Sequence, residues 1–243
     1  MLHPPEHSRI EAKGKRLNLK LFLRPEQSTA ERTRLRTILK KATLTHRLTG
    51  DAIPSVITAE IRCEAIQFLD IELTDLKCRE FAARMIQPFL KEHAVLRLQD
   101  ARGSFALSYA LKRLSKTDAA AIVISHAHTT AVHPVGVDLP VLHHASLLNR
   151  TNKRDHYLEA MVKAYLLDHP LIFMGASGLL ARKFWHHAPS VLSLFDQLQS
   201  LAALKLQKER ATSNATKAGF NTSIKAVIER IKTDFFPSTE RDS

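Results

Sequence analysis

The sequence predicts an α+β fold: a mostly antiparallel sheet with flanking helices, followed by a C-terminal helical region that ends in a helical hairpin or arm. Three observations carry this expectation. Apolar and charged residues alternate with period two through ITAEIRCEA (Ile57 to Ala65) and LDIEL (Leu69 to Leu73), the pattern of a sheet with one wet face. A short link, DARG (Asp100 to Gly103), joins AVLRL to SFALSYALKRL, and a link of that length makes a hairpin rather than a crossover. From Thr151 onward the apolar residues recur at helical spacing. The implied division is a flexible basic lead-in over 1–18, an α+β domain over 19–145, and a helical region with a C-terminal amphipathic arm over 146–243.

Each element follows from local chemistry. LKLFL (Leu19 to Leu23) reads as a short strand or the start of packing, and Pro25 ends it. STAE (Ser28 to Glu31) is a capping box. The helix behind it places Leu35, Ile38, Leu39 and Ala42 on one side, and Thr49-Gly50-Asp51 with Pro54 closes the unit. The alternating run Ile57 to Ala65 is the clearest strand signal. Ile66 and Phe68 interrupt the alternation before Leu69, so a bulge or bend is expected there. Thr74 and Asp75 can cap a helix with Leu76, Phe81, Met85 and Ile86 on its core side, limited by Pro88. Strands follow at Ala94 to Leu98, Ser104 to Leu114 and Ala119 to Ser125. A helix near Thr151 has Leu158, Met161, Val162, Tyr165 and Leu166 on one side, and Pro170, Gly175 and Gly178 break it. Pro189-Ser190 starts another, with Leu194, Leu198, Leu201 and Lys205 at heptad-like spacing. After the polar stretch QKERATSNATKAG, Phe220, Ile224, Val227 and Ile231 resume that spacing. These are two helices folded back as a hairpin, or one long helix with a weak middle.

The chain has 243 residues, a formal net charge of +12 and only two cysteines, Cys63 and Cys78. A disulfide framework is not indicated, a signal-like apolar leader is not seen, and no apolar run is long enough to cross a membrane, so a cytoplasmic protein with no membrane partner is expected. The charge is uneven. Residues 1–50 hold 12 Lys/Arg against 4 Asp/Glu, residues 51–199 hold 16 against 15, and residues 200–243 hold 8 against 5. Concentrated cations at the two ends suit contact with nucleic-acid phosphates. Candidates are Arg32, Arg36, Lys40, Lys41 and Arg47 near the start, and Lys205, Lys208, Arg210 and Lys217 near the end. Aromatic residues are 6% of the chain and fall mostly in core phase, so binding would be directed at the backbone rather than at stacked bases.

The order of VITAEIRCEAIQFLDIEL, IQPFLKEHAVLRL, FALSYALKRLSKTD and LQKERATSNATKAGFNTSIKAVIERI resembles the uncharacterised bacterial family known as domain of unknown function 4391 (DUF4391). The likeness runs from about Leu19 to Phe235, with Lys112, Phe220 and Asn221 at matching motif positions. It departs in the histidine-rich SHAHTTAVHPVGVDLPVLHH. The resemblance implies a companion of helicases and DNA methyltransferases in restriction-like or phage-defence gene clusters, and assigns no chemistry.

Enzymatic sites are weakly supported by the residues. His126 and His128, two apart on a strand, face one side and suit zinc, although no HExxH and no cysteine pair accompanies them. Glu60 and Glu64 with Lys112 are the residue types of a magnesium-dependent nuclease, but the usual Glu-x-Lys spacing is missing. Ser177 lacks a nucleophile elbow, Cys63 lies in core phase, and neither a phosphate-binding lysine loop nor a dinucleotide fingerprint is present. The expected protein is therefore a non-catalytic accessory subunit without a cofactor. It would contact DNA or a helicase or methyltransferase subunit, with a metal-dependent nuclease using Mg²⁺ as the alternative.

Overall fold

The computed structural model describes residues 14–117 and 121–236. Positions 1–13 of the lead-in, residues 118–120, which include the first two of the strand expected from Ala119, and residues 237–243 lie outside them. Two units make up the chain, Met1–Met161 and Val162–Ser243.

The first unit begins with β1 (Lys15–Arg16). Leu19–Phe22 then forms a 3-10 helix rather than a strand, because the Asn18 side chain accepts from Lys20 N at 3.0 Å and starts the turn. The capping box at Ser28 and Glu31 forms in both directions and opens α1 (Thr29–Ile38). That helix stops sooner than its apolar spacing suggests. Leu39–Leu48 becomes the ten-residue strand β2, paired antiparallel with β1 on one side and with a later strand on the other. Two partners outweigh the modest helical preference of this segment.

The strongest alternation in the sequence yields little strand. Only β3 (Val56–Ile57) and β4 (Arg62–Cys63) form, as a separate two-stranded ladder. Between them the Thr58 hydroxyl accepts from Glu60 N and Ile61 N, while Thr58 N donates to the Ile61 carbonyl. A threonine that binds its own neighbours in this way turns the chain. The main strand is β5 (Ile66–Leu73), with Leu69, Ile71 and Leu73 buried. The irregularity expected near Phe68 falls on the partner strand, between Leu44 and His46 of β2.

Asp75 caps a 3-10 turn at Leu76–Cys78 that leads into α2 (Arg79–Ile86). Then follow β6 (His93–Gln99), β7 (Phe105–Leu114), β8 (Ile122–Thr129) and α3 (Lys153–Asp168). The six-stranded order is β1-β2-β5-β6-β7-β8; β5 and β6 run parallel and every other pair is antiparallel. The β6–β7 turn is closed by Gly103 N on the Asp100 carbonyl. Gly103 has φ +83°, and an added Cβ would meet Val135 at 3.1 Å.

One face of the sheet is dry. Ala42, Leu69, Ile71, Leu73, Leu96 and Leu98 pack with Leu35 and Ile38 of α1 and Ala82 and Ile86 of α2, each large side chain there contributing about 1.5–3 kcal/mol. The opposite face carries Phe68, Asp70, Val95, Arg97, Leu107 and Tyr109, and lies against Tyr157 and Ala160 of α3 and the segment before it. The helix is buried on more than the predicted side. Even Glu159 is inside, its carboxylate accepting from Leu148 N at 2.9 Å and Asn149 N at 2.6 Å.

Strands β6 and β7 part at one end. Their paired register runs from Gln99↔Phe105 to Leu96↔Ser108. Beyond it side chains replace the ladder. The Tyr157 hydroxyl accepts from Ala110 N and donates to the Ala94 carbonyl, Gln87 Nε2 reaches the carbonyls of Ala94 and Ser108, and His93 Nε2 accepts from Lys112 N. Backbone groups with no strand partner are satisfied this way instead of being left bare.

In the second unit Trp185 is fully buried and donates to the Leu179 carbonyl at 3.0 Å. Two long helices, α4 (Ala188–Arg210) and α5 (Asn214–Phe235), form a hairpin. Leu194, Leu198 and Leu201 are buried on one, and Ile224, Ile231 and Phe235 on the other. The polar stretch is mostly helical, broken only at Ala211 to Ser213, where the Ser213 side chain caps α5 on Thr216 N. Among the described residues no helix is long and apolar enough to cross a membrane.

Candidate functional site

The N-terminal cations gather at one sheet edge and its adjoining helix. Because α1 runs straight into β2, Arg36 is followed within five positions by Lys40 and Lys41, and all three are exposed. Lys40 sits at a register shift, and Lys41 lies opposite Glu72 of β5. Arg32 is half-buried beside Thr29, and Arg47 is half-buried further along β2. The edge strand β1 adds exposed Lys15 and Arg16. Along the sequence carboxylates are scarce here, only Glu26 and Glu31 falling between Lys15 and Arg47, and the adjoining β5 adds Glu72 opposite Lys41. Glu31 is occupied by Ser28, whose hydrogen bonds hold its carboxyl below the usual range.

The C-terminal cations are on the hairpin. Lys205, Lys208 and Arg210 belong to α4, and Lys217 to the first turn of α5. They are not equivalent. Lys205 Nζ donates to the Ile172 carbonyl and so has a structural partner inside its own unit. Arg210 is exposed at the end of α4, while Lys208 and Lys217 are half-buried.

Lys112 points inward. Its ammonium donates to the carbonyls of Leu90 and Glu92, at 2.7 Å each, and burial pushes its pKa down to about 7. Glu60 and Glu64 stand at the surface, Glu60 3.7 Å from Lys116 and Glu64 2.8 Å from Arg62. The arrangement of a magnesium nuclease, carboxylates converging with a lysine aimed at water, is not assembled by these three. His126 and His128 do share a face of β8, opposite Leu111 and Tyr109. Among the described residues no group of three His, Cys, Asp or Glu is placed to hold a metal ion.

A cavity of about 460 Å³ opens on the sheet face opposite α1 and α2. Its floor is Asp70 and Arg97, direct neighbours on parallel β5 and β6, with Oδ2 and Nη1 3.7 Å apart. Arg97 Nη1 donates to Gln99 Oε1 at 2.8 Å, and its guanidinium lies 4.7 Å from the centre of the Phe105 ring. Burial raises the Asp70 carboxyl, opposed by Arg97, His46 and Lys41. Phe68, Val95, Leu107, Val137 and Leu139 supply apolar walls. The strap over the cavity is tied by His143 Nε2, 2.6 Å from Asp138 Oδ1. In the sequence Asp70 falls on the wet face of the LDIEL alternation. No local pattern marks Arg97 or His46.

A family model described as Domain of unknown function (DUF4391) matches residues 2–231 of the chain. No curated protein and no solved structure matches it.

Proposed function

The chain belongs to the DUF4391 family, and on that premise we propose that it is a non-catalytic accessory component of a bacterial DNA-directed system of the restriction or phage-defence type. It meets the nucleic-acid backbone through the basic edge built by β1, β2 and α1. The observation that carries this reading is the exposure of Lys15, Arg16, Arg36, Lys40 and Lys41 on consecutive elements with so few carboxylates among them. Contacts of this kind position a protein on phosphates without reading sequence. No aromatic side chain is among the strongly exposed apolar residues described, which suits backbone contact better than base stacking.

A larger helicase or DNA methyltransferase subunit is the protein partner of the same reading. Leu171 and Met174 of the second unit, three positions apart in sequence and 88% and 94% exposed, support it, since large apolar side chains left in water suit a contact surface.

Duplex binding measured by fluorescence anisotropy across a salt series tests the nucleic-acid contact. The expected result is a linear fall of log K with log salt concentration, with a slope of about −0.9 per phosphate neutralised. Undetectable binding at low salt would leave only the protein-partner role. Incubation of plasmid with the protein and Mg²⁺ is expected to leave the plasmid intact.

A further inference from the structure

The Asp70–Arg97 floor puts a hydrogen-bond acceptor and a donor array side by side at the bottom of an apolar cavity. We propose that this cavity binds a neutral heteroaromatic ring with a lactam edge, a ring N–H beside a C=O, as carried by uracil, hypoxanthine and guanine in their nucleosides. The proposal concerns the first unit alone and does not rest on DNA contact by the basic edge.

Size comes first. About 460 Å³ lies within the range of roughly 300–1,000 Å³ typical of small-ligand pockets, which are mostly apolar with a few fixed polar groups. Geometry comes second. Asp70 and Arg97 are register partners on adjacent parallel strands, so their spacing is set by the sheet rather than by a loop. A lactam edge presents the complement: its N–H donates to the Asp70 carboxylate and its C=O accepts from the guanidinium. Arg97 uses Nη1 on Gln99 and has further donors to offer. The ring faces then rest between Phe68 and Val95 on one side and Val137 and Leu139 of the strap on the other.

Charge decides between ligand classes. Asp70 and Arg97 carry opposite charges 3.7 Å apart, Asp138 is met by His143 in the lining, and burial works against the ionised Asp70 while Arg97, His46 and Lys41 favour it. A ligand with net charge, or a zwitterion such as a free amino acid, would bring more charge to a floor whose Asp70 and Arg97 side chains are already about two-thirds buried, at 32% and 37% exposure, and covering them further costs desolvation. A neutral ring satisfies both floor groups without doing so.

Isothermal titration calorimetry on the full chain tests this with inosine and uridine against 1-methylinosine and 3-methyluridine. The methylated nucleosides keep size and stacking but lose the ring N–H. The parent nucleosides are expected to bind, and the methylated forms to bind about tenfold or more weakly, as for a lost hydrogen bond to a charged group. Arg97→Met and Asp70→Asn are each expected to weaken inosine by a similar factor, with circular dichroism confirming the fold. The methylated-ligand comparison needs no variant, so a variant that fails to fold leaves the test standing. No heat from any nucleoside at millimolar concentration overturns the proposal. Equal affinity for parent and methylated forms, or preferential binding of leucine, overturns it as well.

Discussion

Tyr157 of α3 donates its hydroxyl hydrogen to the carbonyl of Ala94 on β6 at 2.8 Å, so a helix residue stands in for a strand at the point where β6 and β7 separate. The same oxygen accepts from Ala110 N at 2.7 Å. Replacing Tyr157 with Phe keeps the ring against Tyr109 and His93 but leaves the buried Ala110 N–H unpaired, while the Ala94 carbonyl keeps only Gln87 Nε2. A loss of about 1–3 kcal/mol is expected, read as a lower urea midpoint at unchanged slope.

His93 gives the protein an acid limb. Burial, then the charges of Lys112 and Arg154, push its imidazole down to about 3, while in the unfolded chain it titrates near 6.5. Between those values the unfolded state binds a proton that the folded state refuses, so stability falls as pH drops from 6.5 towards 3. The slope is at most about 1.4 kcal/mol per pH unit. In urea unfolding at several pH values, His93→Gln should flatten this limb.

Lys112 acts in the next window. Its folded value of about 7 lies below its ordinary 10.5, so stability from this group rises with pH above 7. Cys63, pushed up to about 12 by burial, offsets that rise once an unfolded thiol would ionise, near 9, and turns it into a fall above 10.5, where the Lys112 contribution is complete. From these two groups a rise from pH 7 to 9, a plateau from about 9 to 10.5 and a fall above it are expected in the wild type. Lys112→Met should remove the rise and lower stability throughout, because the carbonyls of Leu90 and Glu92 lose their donor.

What could be read from the sequence was what neighbouring residues decide. The box at Ser28 and Glu31, the turn at Asp100, the cap at Asp75 and the Leu69, Ile71, Leu73 face all depend on residues a few positions apart. The helical seam of Leu194, Leu198 and Leu201 with Ile224 and Ile231 was legible for the same reason. Strand β2 was not, because its partners at Lys15–Arg16 and Ile66–Leu73 lie far away in sequence. The run Ile57 to Ala65 misled because Thr58 turns it. The cavity floor was out of reach: Asp70 and Arg97 meet only through a parallel register that no local pattern announces.

Ser28→Ala should cost about 1 kcal/mol, the usual loss for an N-cap. It also frees Glu31 from the hydrogen bonds that hold its carboxyl down. Thermal denaturation of the variant measures the change.

Cations of the two classes should separate in a binding assay. Replacing Arg36, Lys40 and Lys41 together with Ala should reduce the magnitude of the salt slope for duplex binding by up to about three contacts with little change in stability. Lys205→Ala should instead lower the thermal midpoint, because it strips the Ile172 carbonyl of its partner.

The parting of β6 and β7 leaves a kinetic signature. The amide hydrogen of Ala110 is guarded by a phenol and not by a neighbouring strand. Its exchange with deuterium should therefore follow the lifting of Tyr157 and α3, while amides nearer the Asp100 turn wait for the two strands themselves to come apart.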